Sequence, residues 1–352
     1  MRSGAFFPLS RICFARHLLG GLLIGASVFS LSRDAHALDQ LPKPAPKPQT
    51  IAVRATELSS FDGSFEAGET FGKLVWLGGL ELESPEPLFG GFSSLAFLDQ
   101  QTFLAIGDKG TVLKARLVHA DGRPSGIDQV RFGFLPGLDS QSPQWKRDSE
   151  GFDLRGDEAL VSFEGDARVM RYGLINGEPR RVLGRLTLSD DIRSVNHANK
   201  GLETVAVAPS GSPFGGSVFL ISEASRDGRL LGWILSPDGI KSFSLPQSGD
   251  LLATDAAFTA DGDLLVLERS FSLLGGLVIQ VRRVRAADLA QGRVERMDRL
   301  LRATLTYEVD NMEGLAVQTL PDGANVITLI SDDNLNAFQR TLLLQFLLPA
   351  GQ

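Results

Sequence analysis

The chain has 352 residues, a formal net charge of −7 and a single cysteine. This acidic balance argues against nucleic acid and anionic membrane surfaces as partners, and favours divalent cations. Only four histidines are present, which excludes a histidine-rich metal site.

The N-terminal segment has the pattern of an export signal. Three arginines precede a short apolar run at 18–31, which ends near small residues around Ala37. We therefore predict a signal peptide over 1–37 and an exported protein, periplasmic or secreted. Cleavage after Ala37 would remove Cys13 and leave 31 basic against 41 acidic residues. The run is too short for a stable membrane span, and no later stretch reaches that length.

The segment that follows has a different composition. Prolines and polar residues dominate 41–50, which predicts a stiff, extended linker. We assign 38–70 to this proline-rich linker and an N-terminal extension. Residues 71–349 then form one repetitive domain.

A pair of apolar strands recurs five times along this domain, with spacings of 57, 53, 52 and 58 residues. The first strand of each pair opens with a polar or acidic residue, and the second closes with an acid. The opening residues are Ser93, Glu150, Glu203, Asp255 and Glu313; the closing acids are Asp108, Glu164, Glu223, Glu268 and Asp332. A fixed period of this length with several strands per unit is typical of propeller blades.

Further strands complete each unit. Third strands are predicted at 111–118, 168–174, 228–235, 277–284 and 341–348, and fourth strands at 131–135, 181–188, 240–245 and 302–309. The last unit lacks a fourth strand, and we expect 73–82 to pair with 341–348 and close the ring. The prediction is an all-β fold, a β-propeller with four-stranded blades, closed by an N-terminal strand. It has five or six blades, because 50–58 could belong to a sixth.

Common catalytic motifs do not occur in the chain: it contains no GxSxG elbow, HExxH, P-loop or strand-linked GxGxxG. His197 could act as a general base, although a loop histidine is more often simply solvated. The remaining chemistry is that of carboxylates and arginines.

The opening acids are predicted to gather at one end of the central channel. Calcium prefers carboxylate, amide and carbonyl oxygens, so the sequence predicts a calcium site there. The predicted ligands are Glu150, Glu203, Asp255, Glu313, Asp148 and Asn311. Ser93 should leave a gap in this ring. The alternative is that each acid caps a turn or pairs locally with Lys or Arg.

Three arginines near these acids could bind phosphate oxygens through paired donors. They are Arg147, Arg269 and Arg340, and Glu150 or Glu313 would serve as the general base.

Several stretches resemble a known family of exported bacterial proteins, the phytase-like family described as "esterase-like activity of phytase". They are RDSEGFDL, NKGLETVAV, LLATDAAF, and DNMEGLAV with LISDDNLNAFQRTLLLQF, within 91–348. The resemblance implies a β-propeller and hydrolysis of phosphate or carboxylic esters.

The leading interpretation is an exported, metal-assisted hydrolase of small-molecule phosphate esters, with calcium as the metal. One alternative is a lactonase or carboxylic esterase on the same fold. Another is a propeller without catalysis that binds a ligand or a partner.

Overall fold

The computed structural model describes residues 46–63, 68–165, 167–194, 201–273 and 275–352. The predicted signal peptide (1–37), the start of the linker (38–45) and His197 lie outside these ranges. No helix among the described residues is long and apolar enough to cross a membrane.

Nearly all regular structure is β. Three strands come first: β1 (Arg54–Leu58), β2 (Thr70–Phe71) and β3 (Leu74–Glu83). Blade 1 contains β4 (Phe92–Phe97), β5 (Thr102–Gly107), β6 (Thr111–Ala120) and β7 (Arg123–Phe134). Helix α1 (Gln144–Arg147) leads into blade 2, which contains β8 (Ser149–Arg155), β9 (Glu158–Phe163), β10 (Arg168–Ile175) and β11 (Glu178–Arg185).

The second half repeats this plan. Helix α2 (Asp190–Ser194) precedes blade 3, which contains β12 (Leu202–Val207), β13 (Val218–Arg226), β14 (Arg229–Ser236) and β15 (Gly239–Pro246). Blade 4 contains β16 (Leu252–Phe258), β17 (Leu264–Ser272), β18 (Gly276–Val284) and β19 (Asp298–Thr304), with α3 (Ala286–Leu289) inserted before its last strand. Blade 5 contains β20 (Met312–Thr319), β21 (Asn325–Ser331) and β22 (Thr341–Leu348).

The ring closes as predicted. β3 pairs antiparallel with β22, from Thr341 opposite Leu82 to Leu347 opposite Val75, and so supplies the fourth strand of blade 5. β1 pairs with the outer side of β3, so 50–58 extends blade 5 and does not begin a sixth blade. The described chain is a five-bladed propeller.

Tight turns join the strands within blades. Asp121-Gly122, Asn176-Gly177 and Asp227-Gly228 have positive φ at both residues. This is the backbone of type I′ hairpin turns, whose twist matches that of the strands they connect. These three pairs therefore favour the observed hairpin register.

The core is divided among the blade interfaces. Five apolar clusters are present, and each combines residues of two neighbouring blades. Between blades 1 and 2, for example, Ile106 packs with Phe152 and Phe163. Burial of apolar surface contributes about 25 cal/mol per Å², and its sum over the five interfaces holds the ring together.

One strand prediction was wrong. The fourth strand of blade 4 is Asp298–Thr304, earlier than the predicted 302–309. The helix before this strand, α3, covers only Ala286–Leu289. Leu300 and Leu301 are both buried in the cluster between blades 4 and 5, and this burial draws the strand forward.

Candidate functional site

The first strand of each blade lies next to the central channel, and we call it the inner strand. A β-bulge with one extra residue interrupts each inner strand near its start. Bulges re-aim side chains and often occur at functional sites. The bulge positions are occupied by Ser93, Glu150, Glu203, Thr254 and Glu313.

The ends of the second strands lie beside these bulges, because each first and second strand form an antiparallel pair. On each second strand, we consider the residue that follows the partner of the last residue before the bulge. This residue is an acid in four blades and an arginine in blade 4. These residues are Asp108, Glu164, Glu223, Arg269 and Asp332. We call this end of the channel, defined by the five bulge residues and these five partners, the mouth.

Blade 4 departs from the register that its acids suggest. Asp255 lies one residue beyond the bulge, which Thr254 occupies, so the prediction that Asp255 shares the register of Glu150 was wrong. Glu268 likewise lies one residue before the mouth position and forms a buried ion pair with Arg282. A shift of one residue moves a strand side chain to another face.

Asp255 instead spans the channel below the mouth. Its carboxylate accepts hydrogen bonds from Ser94 Oγ in blade 1 and from the Leu315 amide in blade 5, both at 2.8 Å. Burial raises the pKa of Asp255 well above its ordinary value.

The inner strands also approach closely at this level. A Cβ on Gly151 would lie 2.5 Å from the Glu203 carbonyl oxygen, and one on Gly314 would lie 2.9 Å from Ser94 Cα. The inner strands of neighbouring blades are therefore tightly packed at the level where Asp255 bridges the channel.

The mouth carboxylates are buried or half-buried, and they repel one another. Burial, followed by repulsion from Glu203 and Glu313, raises the pKa of Glu150 well above its ordinary value. Burial, followed by repulsion from Glu223 and Glu313, does the same to the pKa of Glu203. Burial and the charge of Glu313 raise the pKa of Asp332 to about 8. An added positive charge would relieve this repulsion.

Three of the acids form a compact group. Asp148, Glu150 and Glu164 each have a carboxylate oxygen within 4.8 Å of the others. Asp148 follows α1, where Gln144 Nε2 donates to its Oδ1 at 2.6 Å. Burial, and then the charge of Asp148, raise the pKa of Glu164 to about 6. The sequence therefore placed Asp148 and Glu150 together correctly.

Glu313 has a different environment. Arg269 Nη2 lies 3.2 Å from its Oε1, and Asn311 Nδ2 donates to the same oxygen at 2.9 Å. Burial raises the pKa of Glu313, although Arg269 opposes that shift. The same Asn311 amide group donates to Asp332 Oδ2 at 3.3 Å. Asn311 thus joins Glu313 to the acid that closes the second strand of blade 5.

Two of the predicted arginines lie at or beside the mouth. Arg269 occupies one of its defining positions, and Arg147 lowers the pKa of Asp108 by its charge, although burial raises that pKa overall. The Nε groups of both arginines are buried and have no hydrogen-bond partner. Each guanidinium group therefore carries one buried, unsatisfied N–H group, which is energetically costly.

Arg340 is not brought to the centre of the mouth. It precedes β22, a third strand, and its guanidinium pairs with Glu308 at 2.8 Å and lies 3.8 Å from Glu81. Neighbouring strands lie about 4.8 Å apart, so a third strand is roughly 10 Å farther from the channel than an inner strand.

A large cavity lies elsewhere, at the opposite end of the channel. It has a volume of about 830 Å³ and includes Asp153 and His119 in its lining. Asp153 is held by two backbone amides and His119 by Gln345. Size favours this cavity, but the converging charged groups lie at the mouth, and we place the candidate site there.

Four mouth acids were absent from the predicted ligand set: Asp108, Glu164, Glu223 and Asp332. The signal for them was present in the sequence, because each closes the strand that pairs with a predicted inner strand. Antiparallel pairing alone brings such residues beside the opening acids.

One family model matches most of the chain. The family model "Phytase-like: Esterase-like activity of phytase" matches residues 87–335. No curated protein matches the chain.

Solved structures share only a general likeness. The PQQ-bound aldose sugar dehydrogenase of Streptomyces coelicolor is 11% identical, with a TM-score of 0.42, over 86% of this chain and 100% of that one. The glutaminyl cyclase of Myxococcus xanthus is 15% identical, with a TM-score of 0.39, over 73% and 90%. A putative oxidoreductase (glucose dehydrogenase) of Thermus thermophilus is 16% identical, with a TM-score of 0.31, over 83% and 100%.

Proposed function

The chain belongs to the phytase-like family described as having the esterase-like activity of phytase, and from this membership and the chemistry of the mouth we propose that it is a calcium-assisted hydrolase of small-molecule phosphate esters. The observation that carries the proposal is the excess of carboxylates over cations among the described residues at and beside the mouth. Eight acids interact there: Asp108, Asp148, Glu150, Glu164, Glu203, Glu223, Glu313 and Asp332. The described cations beside them are Lys109, Arg147 and Arg269.

The group of Asp148, Glu150 and Glu164 fits calcium. Calcium–oxygen distances are about 2.3–2.6 Å, so oxygens on opposite sides of one ion are separated by about 4.6–5.2 Å. The three carboxylates lie within 4.8 Å of one another. They are half-buried, and they are hard oxygen donors of the kind that calcium prefers. When bound, calcium would neutralise phosphate charge and lower the pKa of a coordinated water.

The neighbouring side chains supply the remaining chemistry. Arg269 donates to non-bridging phosphate oxygens through the exposed part of its guanidinium group, while retaining its contact with Glu313. Glu313 accepts the proton of the attacking water, held in position by Asn311 at 2.9 Å. Arg147 attracts the anionic substrate from the opposite side of the ring.

The test is an assay of the purified protein against phosphate monoesters, phosphate diesters and carboxylic esters, with calcium and with chelator. We expect calcium-dependent phosphate release. Arg269→Gln should lower kcat/KM by about 100-fold, because a lost donor to transition-state charge typically costs that much. Arg293→Gln is the matched control, because Arg293 is exposed and pairs only with the nearby Glu295.

Two results would contradict the proposal. If only carboxylic esters are cleaved, the lactonase or esterase alternative replaces it. If no ester is cleaved under any condition, the mouth is a binding site without catalysis.

A further inference from the structure

A cleft with one polar and one hydrophobic part adjoins the mouth between blades 4 and 5. It has a volume of about 470 Å³, within the range of roughly 300–1,000 Å³ that is typical of small-molecule sites. Arg269, Asn311 and Glu313 contribute to its lining, and they also belong to the proposed catalytic site. The cleft is therefore continuous with the groups that would hold a phosphate.

The opposite part of the lining is hydrophobic and unusually exposed. Phe338 is 94% exposed, Phe271 is 64% exposed and Leu305 is 62% exposed. All three line the cleft, together with the buried Leu277. They make up three of the eight large hydrophobic side chains that are exposed among the described residues. Such gathering around one concavity marks a binding surface, whereas scattered exposed hydrophobics do not.

The juxtaposition of charge and apolar surface defines the ligand. A molecule that satisfies both parts carries one anionic group beside one compact hydrophobic group. A polyphosphorylated sugar or inositol would place several anions among the eight mouth carboxylates, where repulsion opposes it, and would leave the aromatic rings in water. A single phosphate with a hydrophobic substituent avoids both costs.

We propose that the cleft binds the organic group of phosphate monoesters whose alcohol is aromatic or compactly apolar, and so selects these substrates over polyphosphorylated ones. The inference rests on the proposed function for the identity of the anionic group. The phosphate lies against Arg269, and the organic group lies between Phe271 and Phe338.

Equilibrium binding tests the cleft without relying on catalysis. The probes are naphthylmethylphosphonate and methylphosphonate, which resist hydrolysis, titrated calorimetrically into the full chain with calcium. We expect naphthylmethylphosphonate to bind at least tenfold more tightly, since burial of an aromatic ring contributes about 1.5–3 kcal/mol. The double variant Phe271→Ser, Phe338→Ser should reduce this preference to less than threefold. Ile240→Ser, at an exposed position in blade 3, should leave it unchanged.

The outcomes separate the two proposals. Equal binding of both probes, or a preference that survives in the double variant, would overturn the cleft assignment, and would leave the exposed rings to a protein or membrane partner. Hydrolysis of phosphate monoesters without apolar preference would overturn it too, while the hydrolase proposal stands. A naphthyl preference that depends on the two phenylalanines, without any ester hydrolysis, would support the cleft and remove the hydrolase.

Discussion

Asp153 illustrates how one carboxyl group connects two blades. It lies on β8, at the end of the channel opposite the mouth, where its Oδ2 accepts the Val207 amide of blade 3 at 2.7 Å. Its Oδ1 accepts the Leu154 amide at 2.7 Å. Burial outweighs these two bonds and raises the pKa of Asp153 to about 7. The folded chain therefore holds this proton more tightly than the unfolded chain, in which the pKa is near 3.9.

Asp153→Asn should reveal this linkage. The group favours folding below about pH 4, and its contribution is lost as the pH rises from there to about 7. Relative to the Asn variant, the wild type should therefore lose on the order of 2 kcal/mol of unfolding free energy between pH 5 and pH 8. Urea denaturation at several pH values measures the difference. A constant difference across this range, as we expect for the exposed Asp238→Asn, would contradict the raised pKa.

The sequence predicted most of the residues that form the mouth, but not the strand register in blade 4. Glu150, Glu203 and Glu313 occupy equivalent bulges, whereas Asp255 and Glu268 are each displaced by one position. In the sequence, the repeats were aligned by their acidic residues. In the structure, the hydrogen-bond pairing of the strands decides which residues are equivalent. Only the pairing reveals that Thr254 and Arg269 hold the blade 4 positions. The sequence therefore predicted Arg269 as a phosphate-binding residue without showing that it takes the position that an acid holds in each of the other blades.

At the scale of elements, β3 carries the closure of the ring. Leu74, Trp76 and Leu80 of this strand are each at most 1% exposed, and its backbone satisfies the edge of β22. Full burial of one such side chain contributes about 1.5–3 kcal/mol. Their combined loss would be comparable with the whole stability of a typical domain, about 5–15 kcal/mol.

Two truncated chains distinguish β3, which closes the ring, from β1, which only extends blade 5. A chain that begins at Ser60 lacks β1 and should still fold, with a lower melting temperature. A chain that begins at Pro85 also lacks β3 and should fail to melt cooperatively, as followed by circular dichroism. A cooperative transition at the same temperature in both chains would contradict the role of β3.

Strand order also explains why the closure of the ring could be predicted from the sequence and the position of the Arg340 side chain could not. Closure follows from counting strands, because a missing fourth strand and a spare one at the other terminus must meet. The distance of a residue from the axis depends on which strand carries it, and Arg340 lies beside the third. Its sequence proximity to the Asp332 loop therefore did not bring its guanidinium to the mouth.

At the scale of the whole molecule, the unbalanced charge of the mouth should make stability depend on calcium. At a hundredfold excess over its dissociation constant, a bound ion stabilises the fold by about 2.7 kcal/mol. For a propeller of this size that corresponds to a rise in melting temperature of about 4 °C. Glu150→Gln should abolish the rise, because it removes one of the three clustered carboxylates.

Differential scanning calorimetry with calcium and with chelator measures this effect. Glu57→Gln is the matched control, because Glu57 is exposed on β1, far from the inner strands, and should retain the full rise. Identical melting of the wild type in calcium and in chelator would contradict the calcium site. The mouth acids would then be neutralised by protons and by their neighbouring cations.

The bridge below the mouth has a consequence for product release. The Asp255 carboxylate joins blade 4 to Ser94 of blade 1 across the axis, and so narrows the channel at that level. For the proposed reaction, we expect released phosphate to leave by the mouth through which the ester entered, and therefore to compete with the next ester for the same space. Initial rates at several concentrations of inorganic phosphate measure this competition.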